Sequence, residues 1–277
     1  MALIICYYRS NMKSNEGVTR TGIVILAAGR GARMNHAIPK VLVLVGGVPM
    51  ILRALSAAEA ANFKTKPVVV VGYKKELVKK IVGARARYAW QCRQLGTGHA
   101  VAATKSLLYK KVGQVIVIYG DHPFTSANLL RRLASLQERT RAVVAMTTVV
   151  VPNFLGPRRI FLRYGHIVRD PRGRFVKRCV EYKDATARER AIREVNSGHY
   201  CFEAKWLWQS LPKLKRKNFK NEYYLTDLIG LAVAEGRRVA PLALKNWHEG
   251  LGVNTMEEVK IAEGVATKNL KSKSYEL

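Results

Sequence analysis

The feature that most restricts this chain is a recurrence of short, almost unbroken apolar runs. Residues 22–28 (GIVILAA), 67–72 (PVVVVG) and 114–119 (QVIVIY) show no polar alternation. That is the pattern of strands buried on both faces. Between and after them lie stretches with helical periodicity, at residues 49–62, 74–82, 96–109 and 126–138. Strands alternating with helices imply a parallel sheet with right-handed crossovers. Ligands of such sheets sit beyond the carboxyl ends of the strands. The loops after Ala28, Gly72 and Tyr119 are therefore where chemistry is expected.

After a further strand at residues 142–151 the texture changes. Residues 163–170 and 174–182, joined by Pro171-Arg172-Gly173, read as a β-hairpin. A short charged helix is expected at 184–194 and a strand at 196–202. Helices follow at 204–211 and 226–234, then a strand at 239–244 and a last helix from about Thr255. The fold class expected is α/β: a Rossmann-like, mixed but mainly parallel sheet flanked by helices, with a hairpin-bearing insertion. Residues 21–265 read as one domain with halves 21–150 and 151–265. Residues 1–20 read as an N-terminal extension and 266–277 as a C-terminal tail.

Charge sets the partner class. The chain has 48 Lys+Arg against 19 Asp+Glu, a net charge of +29, and residues 1–120 hold only three acids, Glu16, Glu59 and Glu76. Such a chain attracts anions, including nucleotides, phosphosugars, nucleic acids or acidic membranes. With 48% hydrophobic residues, a packed core is expected. No run reaches the roughly 18 apolar residues of a membrane span. Cys6, Cys92, Cys179 and Cys201 form no C-x-x-C pair, which fits a reducing cytoplasm.

The most specific local signal is Leu26-Ala27-Ala28-Gly29-Arg30-Gly31-Ala32-Arg33-Met34, followed by Pro39-Lys40-Val41-Leu42. Two glycines let successive backbone N–H groups face a phosphate chain, and Arg33 and Lys40 add positive charge. The loop has neither the G-K-[ST] of a Walker A motif nor a G-x-G-x-x-G fingerprint. Further on stand Gln91-Cys92-Arg93-Gln94-Leu95-Gly96-Thr97-Gly98-His99-Ala100 and Tyr119-Gly120-Asp121. Then come Tyr164-Gly165-His166-Ile167, Val180-Glu181-Tyr182-Lys183-Asp184-Ala185, Asn196-Ser197-Gly198, Glu222-Tyr223-Tyr224-Leu225-Thr226-Asp227 and Gly252-Val253-Asn254. On these motifs, in this order over residues 22–263, the chain resembles the uridyltransferase (pyrophosphorylase) domain of bacterial N-acetylglucosamine-1-phosphate uridyltransferases.

That resemblance implies a division of labour. Leu26, Ala27, Ala28, Gly29 and Gly31 would meet the nucleotide, with Lys40 on phosphate oxygens and Arg33 on the pyrophosphate. Arg33 and Lys40 are the expected catalytic pair. Gln91, Gly96 and Thr97 would read the uracil. Asp121 and Asn254 would hold Mg²⁺, although from spacing alone each is equally a helix cap. Tyr119, Gly120, Gly165, Glu181, Asn196 and Asn254 would hold the sugar, and Tyr223, Tyr224 and Thr226 its wall. His99 is expected to be a helix residue beside the uracil loop.

The implied reaction joins UTP and N-acetylglucosamine 1-phosphate. Two alternatives remain open: another sugar or base, as in a UDP-glucose pyrophosphorylase, and a basic, inactive relative that binds nucleic acid through residues 213–220. The sequence departs from the resembled family at Ala32, where that family has Thr, and at His166, where it has Arg. The family's acetyltransferase β-helix has no counterpart in the 277 residues, so that activity and the trimer it builds are not expected here.

Overall fold

The computed structural model describes residues 20–31, 34, 38–218 and 220–274, with side chains to residue 267. The three apolar runs form adjacent strands, β1 (Thr21–Ala27), β4 (Val68–Val71) and β6 (Gln114–Tyr119). β1 pairs in parallel with both of the others. Their lack of alternation has a direct cause. Val24, Leu26, Val68, Val70, Val115 and Val117 face one apolar cluster, and Ile23, Ile25, Val69, Val71, Ile116 and Ile118 face another.

Eleven strands complete the chain's β-structure among the described residues: β2 (Leu44–Val45), β3 (Val48–Pro49), β5 (Arg87–Trp90), β7 (Val144–Val150), β8 (His166–Arg169), β9 (Val176–Val180), β10 (Glu194–Glu203) and β11 (Val239–Ala243) join those three. The main sheet has nine strands along the path β11-β7-β10-β6-β1-β4-β5, with β8 and β9 attached through β10. Only β10 on that path runs antiparallel to its neighbours, β6 and β7. Its amino end therefore meets the carboxyl ends of the parallel strands. That is how the second half of the chain reaches the sheet's functional edge.

Helices cover both faces. α1 (Met50–Ala60), α2 (Lys75–Val82) and α5 (Ala127–Thr140) lie on one face. α3 (Thr97–Ala102), α4 (Lys105–Leu108), α7 (Ala204–Ser210) and α8 (Asp227–Ala234) lie on the other. A third cluster beneath the carboxyl edge joins Val45, Phe161, Val195, Leu251 and Val253 to α9 (Met256–Ser274). α9 runs past residue 265, where the sequence reading placed a tail, because Val265 and Ala266 are still buried.

Other boundaries also shift. The helix expected over 96–109 is two helices, broken at Ala103–Thr104, where Thr104 Oγ1 donates to the Val101 carbonyl. The helix expected over 184–194 shrinks to α6 (Ala187–Arg190) in a Thr186/Glu189 capping box, and Glu194 belongs to β10. The 3-10 helix Gly156–Arg163 and edge strand β5 lacked a sequence signal, since β5 (Arg-Tyr-Ala-Trp) is short and half-exposed.

Ile116 is fully buried in β6, whereas Ile81 is 44% exposed on α2. Ile116→Ala is expected to lower unfolding free energy by about 3 kcal/mol, and Ile81→Ala by well under about 1 kcal/mol. Urea denaturation of both variants checks the assignment of the core.

Candidate active site

The loops after β1, β5 and β6 open onto one cleft of about 600 Å³. Leu26, Ala27, Ala28, Gly29, Gly31, Lys40, Gln91, Gly96, Thr97, Tyr119, Asp121 and Asn254 all line it. Every one of these was singled out in the sequence. Arg33 and Ala32 lie outside the described residues. The lining also includes Arg30, Val41, Gln94, Ala100, Lys220 and Glu222. Gln94 and Glu222 were within quoted motifs without an assigned role, whereas Lys220 was hidden in a basic run that read as an exposed loop.

The glycine-rich loop after β1 is shaped by Gly31, whose φ of +69° is strained for any residue with a side chain. A Cβ there would stand 2.5 Å from Lys40 Cβ. The loop is therefore folded against the lysine it presents. Gly96 plays the same part at φ +106°, where a Cβ would fall 2.6 Å from the Tyr223 carbonyl. Around it, Tyr223 N donates to Leu95 O (2.7 Å), Gly98 N to Tyr223 O (2.8 Å) and Leu225 N to Thr97 Oγ1 (2.9 Å). Buried Gln91 braces this loop, because its Nε2 donates to Gly96 O at 2.9 Å and stands 3.1 Å from His99 Nδ1. His99 lies on α3, as expected, and its ring nitrogen is engaged with the amide.

At the centre, Lys40 Nζ is bonded to Asp121 Oδ2 and donates to Asn254 Oδ1 at 2.8 Å. The two oxygens thus converge on one point from segments far apart in the chain. The Val253 N–H donates to the Asp121 carbonyl (3.0 Å), which fixes Asn254 next to Asp121. Neither side chain is a helix cap: Ser126 caps α5 and Thr255 Oγ1 accepts from Glu258 N at the start of α9. Burial would raise the Asp121 pKa, but the Lys40 charge, together with His122, outweighs it and holds the carboxyl below its usual range. Asp121 Oδ1 is buried and accepts no hydrogen bond among the described residues, although His122 Nδ1 stands 3.3 Å away.

Behind Asp121 lies a buried polar chain without a sequence signal. His122 packs on His199 (ring centroids 5.1 Å), and His199 is bonded to Thr125 Oγ1 (2.8 Å) and Thr147 Oγ1 (3.1 Å). Burial, and then the neighbouring His122, push the His199 pKa well down, so this ring is neutral at pH 7.

Glu181, Gly165, Asn196 and Gly120 do not line the cleft. The first three form an adjoining group. Asn196 N donates to Gly165 O (2.8 Å) and its Nδ2 to the Tyr200 hydroxyl (2.7 Å). A Cβ on Gly165 would stand 3.6 Å from Glu181 Oε1. Tyr119 belongs to both groups, since its hydroxyl interacts with Thr97 and Tyr200. Burial raises the Tyr119 pKa, and the Asp121 and Glu181 charges raise it further. Burial likewise raises Glu181, reinforced by Asp184 and Asp227 and opposed by Lys220 and His166. Gly120 serves packing instead: its N–H donates to Leu26 O at 3.0 Å, beside Val41. His166 is fully buried, with Nδ1 2.9 Å from the Ile192 carbonyl and Nε2 without a hydrogen bond among the described residues. Among the described residues no trio of His, Cys, Asp or Glu forms a metal cluster, and no helix is long and apolar enough to cross a membrane.

The profile of the MobA-like NTP transferase domain matches residues 23–217. The chain belongs to that family. Its relatives include proteins named "Bifunctional protein GlmU". One from Limosilactobacillus reuteri is 40% identical over 237 residues, covering 86% of this chain and 50% of the relative. One from Carboxydothermus hydrogenoformans is 41% identical over 243 residues, covering 87% and 52%. The chain therefore spans about half the length of the curated relatives it matches. Among solved structures, a putative glucose-1-phosphate thymidylyltransferase from Bacillus anthracis superposes with a TM-score of 0.71 at 17% identity, over 89% of this chain and 95% of the other. A UDP-glucose pyrophosphorylase complexed with UDP-glucose gives 0.67 at 18%, over 90% and 99%. At such identities the likeness establishes the fold, a mainly parallel sheet of the nucleotidyltransferase type.

Replacing Lys40 tests the electrostatics of this MobA-like fold. In the native chain Asp121 has a depressed pKa, so its contribution is full above the unfolded carboxylate range and fades as pH falls through the lower folded value. Lys40→Met leaves Asp121 buried without its cation, which reverses that sign. The variant is expected to be about 3 kcal/mol less stable near pH 7; the deficit starts to shrink above about pH 4, as pH falls through the raised Asp121 carboxyl of the variant, and goes on shrinking below it as the parent loses its own stabilisation. Unfolding curves of both proteins from pH 3 to 8 decide this; a pH-independent gap would contradict it.

Proposed function

We propose that this chain transfers a uridylyl group from UTP to N-acetylglucosamine 1-phosphate, releasing pyrophosphate and forming UDP-N-acetylglucosamine. The observation that carries the reading is the convergence of Lys40, Asp121 and Asn254 on the cleft that also holds the glycine-rich loop and the Gln91–Gly96–Thr97 loop. The relatives named GlmU give it further support.

A phosphate monoester is already an anion at neutral pH, so the nucleophile requires no general base. His99 is engaged by Gln91, and the cleft carboxylates Asp121 and Glu222 take no part in proton transfer in this scheme. One sugar-phosphate oxygen forms a bond to the α-phosphorus of UTP while the bond to the bridging oxygen breaks in line. Pyrophosphate leaves with that electron pair. Catalysis then rests on alignment and charge neutralisation. Backbone N–H groups of residues 26–31 and the Lys40 ammonium hold phosphate oxygens. Arg33, by resemblance, meets the leaving group. Gln91 keeps the Gly96–Thr97 backbone in place for the uracil edge. Gly165, Glu181 and Asn196 take the sugar hydroxyls and acetamido group beside Tyr119.

Mg²⁺ is assigned to Asp121 and Asn254. The donor set fits: Asp121 Oδ2 and Asn254 Oδ1 are hard oxygens that share the Lys40 ammonium here, so the ion would take that place or displace Lys40 Nζ towards phosphate, and Asp121 Oδ1 accepts no hydrogen bond among the described residues. Two protein oxygens are a usual number for this ion. When bound, it neutralises charge on the triphosphate. A reaction that consumes UTP, an intracellular nucleotide, would run in the cytoplasm, in keeping with cysteines that form no C-x-x-C pair in the sequence.

Asp121→Ala is expected to abolish Mg²⁺-dependent pyrophosphate release with UTP and N-acetylglucosamine 1-phosphate. Turnover like the parent's in that variant refutes the metal assignment. A panel of UTP, dTTP and ATP against N-acetylglucosamine and glucose 1-phosphates tests the substrate. Preference for glucose 1-phosphate would move the reading to a UDP-glucose pyrophosphorylase.

A further inference from the structure

Two anions must meet in the proposed reaction, a triphosphate and a phosphate monoester of charge about −2. Their repulsion in a cleft is large unless cations stand on both sides of the meeting point. Three described cations line the cleft: Arg30, Lys40 and Lys220. Lys40 is already held by Asp121 and Asn254. The Arg30 guanidinium stands 5.5 Å from the Tyr73 ring. No hydrogen bond or ion pair holds the Lys220 ammonium among the described residues.

Lys220 is placed by a built loop. Asn218 clamps it, with Nδ2 donating to Glu222 O (2.6 Å) and Oδ1 accepting from Glu222 N (3.1 Å). Asn221 N closes the turn onto Asn218 O (2.9 Å), and Arg216 Nε donates to Asn221 O (2.7 Å). Immediately beyond, Tyr223 and Leu225 are bonded to the uracil loop. The loop thus runs between two ends of the site. Glu222 abuts Gly96, whereas the Lys220 charge acts on Glu181 in the sugar group. Lys40 comes from the nucleotide half of the chain, and Lys220 is its counterpart from the sugar half.

We propose that Lys220 is a substrate-binding residue for the incoming sugar 1-phosphate, holding its phosphate at the mouth of the cleft while Lys40 serves the triphosphate. The proposal rests on the uridylyl-transfer reading of the same site. It makes Lys220, held beside Asn218, Asn221 and Glu222, the residue that recognises the acceptor's phosphate, separately from the groups that recognise its ring.

The test is a steady-state comparison of Lys220→Gln, Lys220→Arg and Lys217→Gln, the last changing an exposed lysine of the same loop outside the cleft lining. Lys220→Gln is expected to raise KM for the sugar 1-phosphate about tenfold or more, with KM for UTP within about twofold. Lys220→Arg restores most of it, and Lys217→Gln leaves both constants unchanged. Asn218→Ala, which unclamps the loop, should move the same KM in the same direction. An unchanged KM for the sugar phosphate in Lys220→Gln, or an equal rise for both substrates, overturns the role of Lys220. Equal effects of Lys217→Gln and Lys220→Gln would reduce it to general surface charge and overturn it as well. If the parent protein releases no pyrophosphate with any sugar 1-phosphate, the reading of the whole site fails, a result distinct from a normal parent with an indifferent Lys220.

Discussion

The backbone hydrogen bond from Val253 N to Asp121 O is the constraint on which the site depends. Asp121 stands in the turn just after a central strand, and Asn254 comes from a connection that follows the last strand of the sheet. Side-chain attraction alone would not hold such segments in register, because the gain from a buried ion pair is largely offset by taking its charges out of water. A main-chain bond, backed by buried Leu251 and Val253, fixes the distance first. Lys40 then bridges partners 81 and 214 residues away in sequence. The glycine at 31 and the one at 252 serve the same end. The first lets the loop fold on Lys40, and the second leaves room for His122, whose Nε2 would lie 2.8 Å from an added Cβ.

Much of the site was legible because its chemistry is written in short motifs at strand ends. The unbroken runs at 22–28, 67–72 and 114–119 fixed three neighbouring parallel strands, and the motif residues after β1, β5 and β6 met in one cleft. The resemblance added the distant partners, Asn254 above all, which no local pattern could pair with Asp121. What stayed hidden was of two kinds. The insertion of β10 between β6 and β7, antiparallel to both, depends on non-local pairing that periodicity does not encode. Likewise Thr125, Thr147 and His199 are ordinary residues in sequence and become a network only by burial. Gly120 has a packing reason of its own in that motif, its N–H bonded to Leu26 O beside Val41.

The large positive charge separates into a specific part and a solvated part. Arg30, Lys40 and Lys220 reach the cleft. Others lie against exposed rings, as Lys75 does 3.8 Å from the Trp90 ring centroid, or form exposed pairs such as Arg85–Glu59. A net charge of +29 gives the molecule a positive field that attracts polyanions and weakens with ionic strength.

The late position of Asn254 also has a bearing on biosynthesis. A ribosome delivers β1, the glycine loop, Lys40 and Asp121 long before residues 251–254 emerge. The nascent nucleotide half can bury its own strands, but Asp121 and Lys40 must wait for their third partner. Sheet closure by β10 and β11 brings contacts of great sequence separation, which are slow to form. On this geometry the Lys40–Asp121–Asn254 cluster closes only once residues 251–254 have docked, because Asn254 supplies the second oxygen bonded to Lys40.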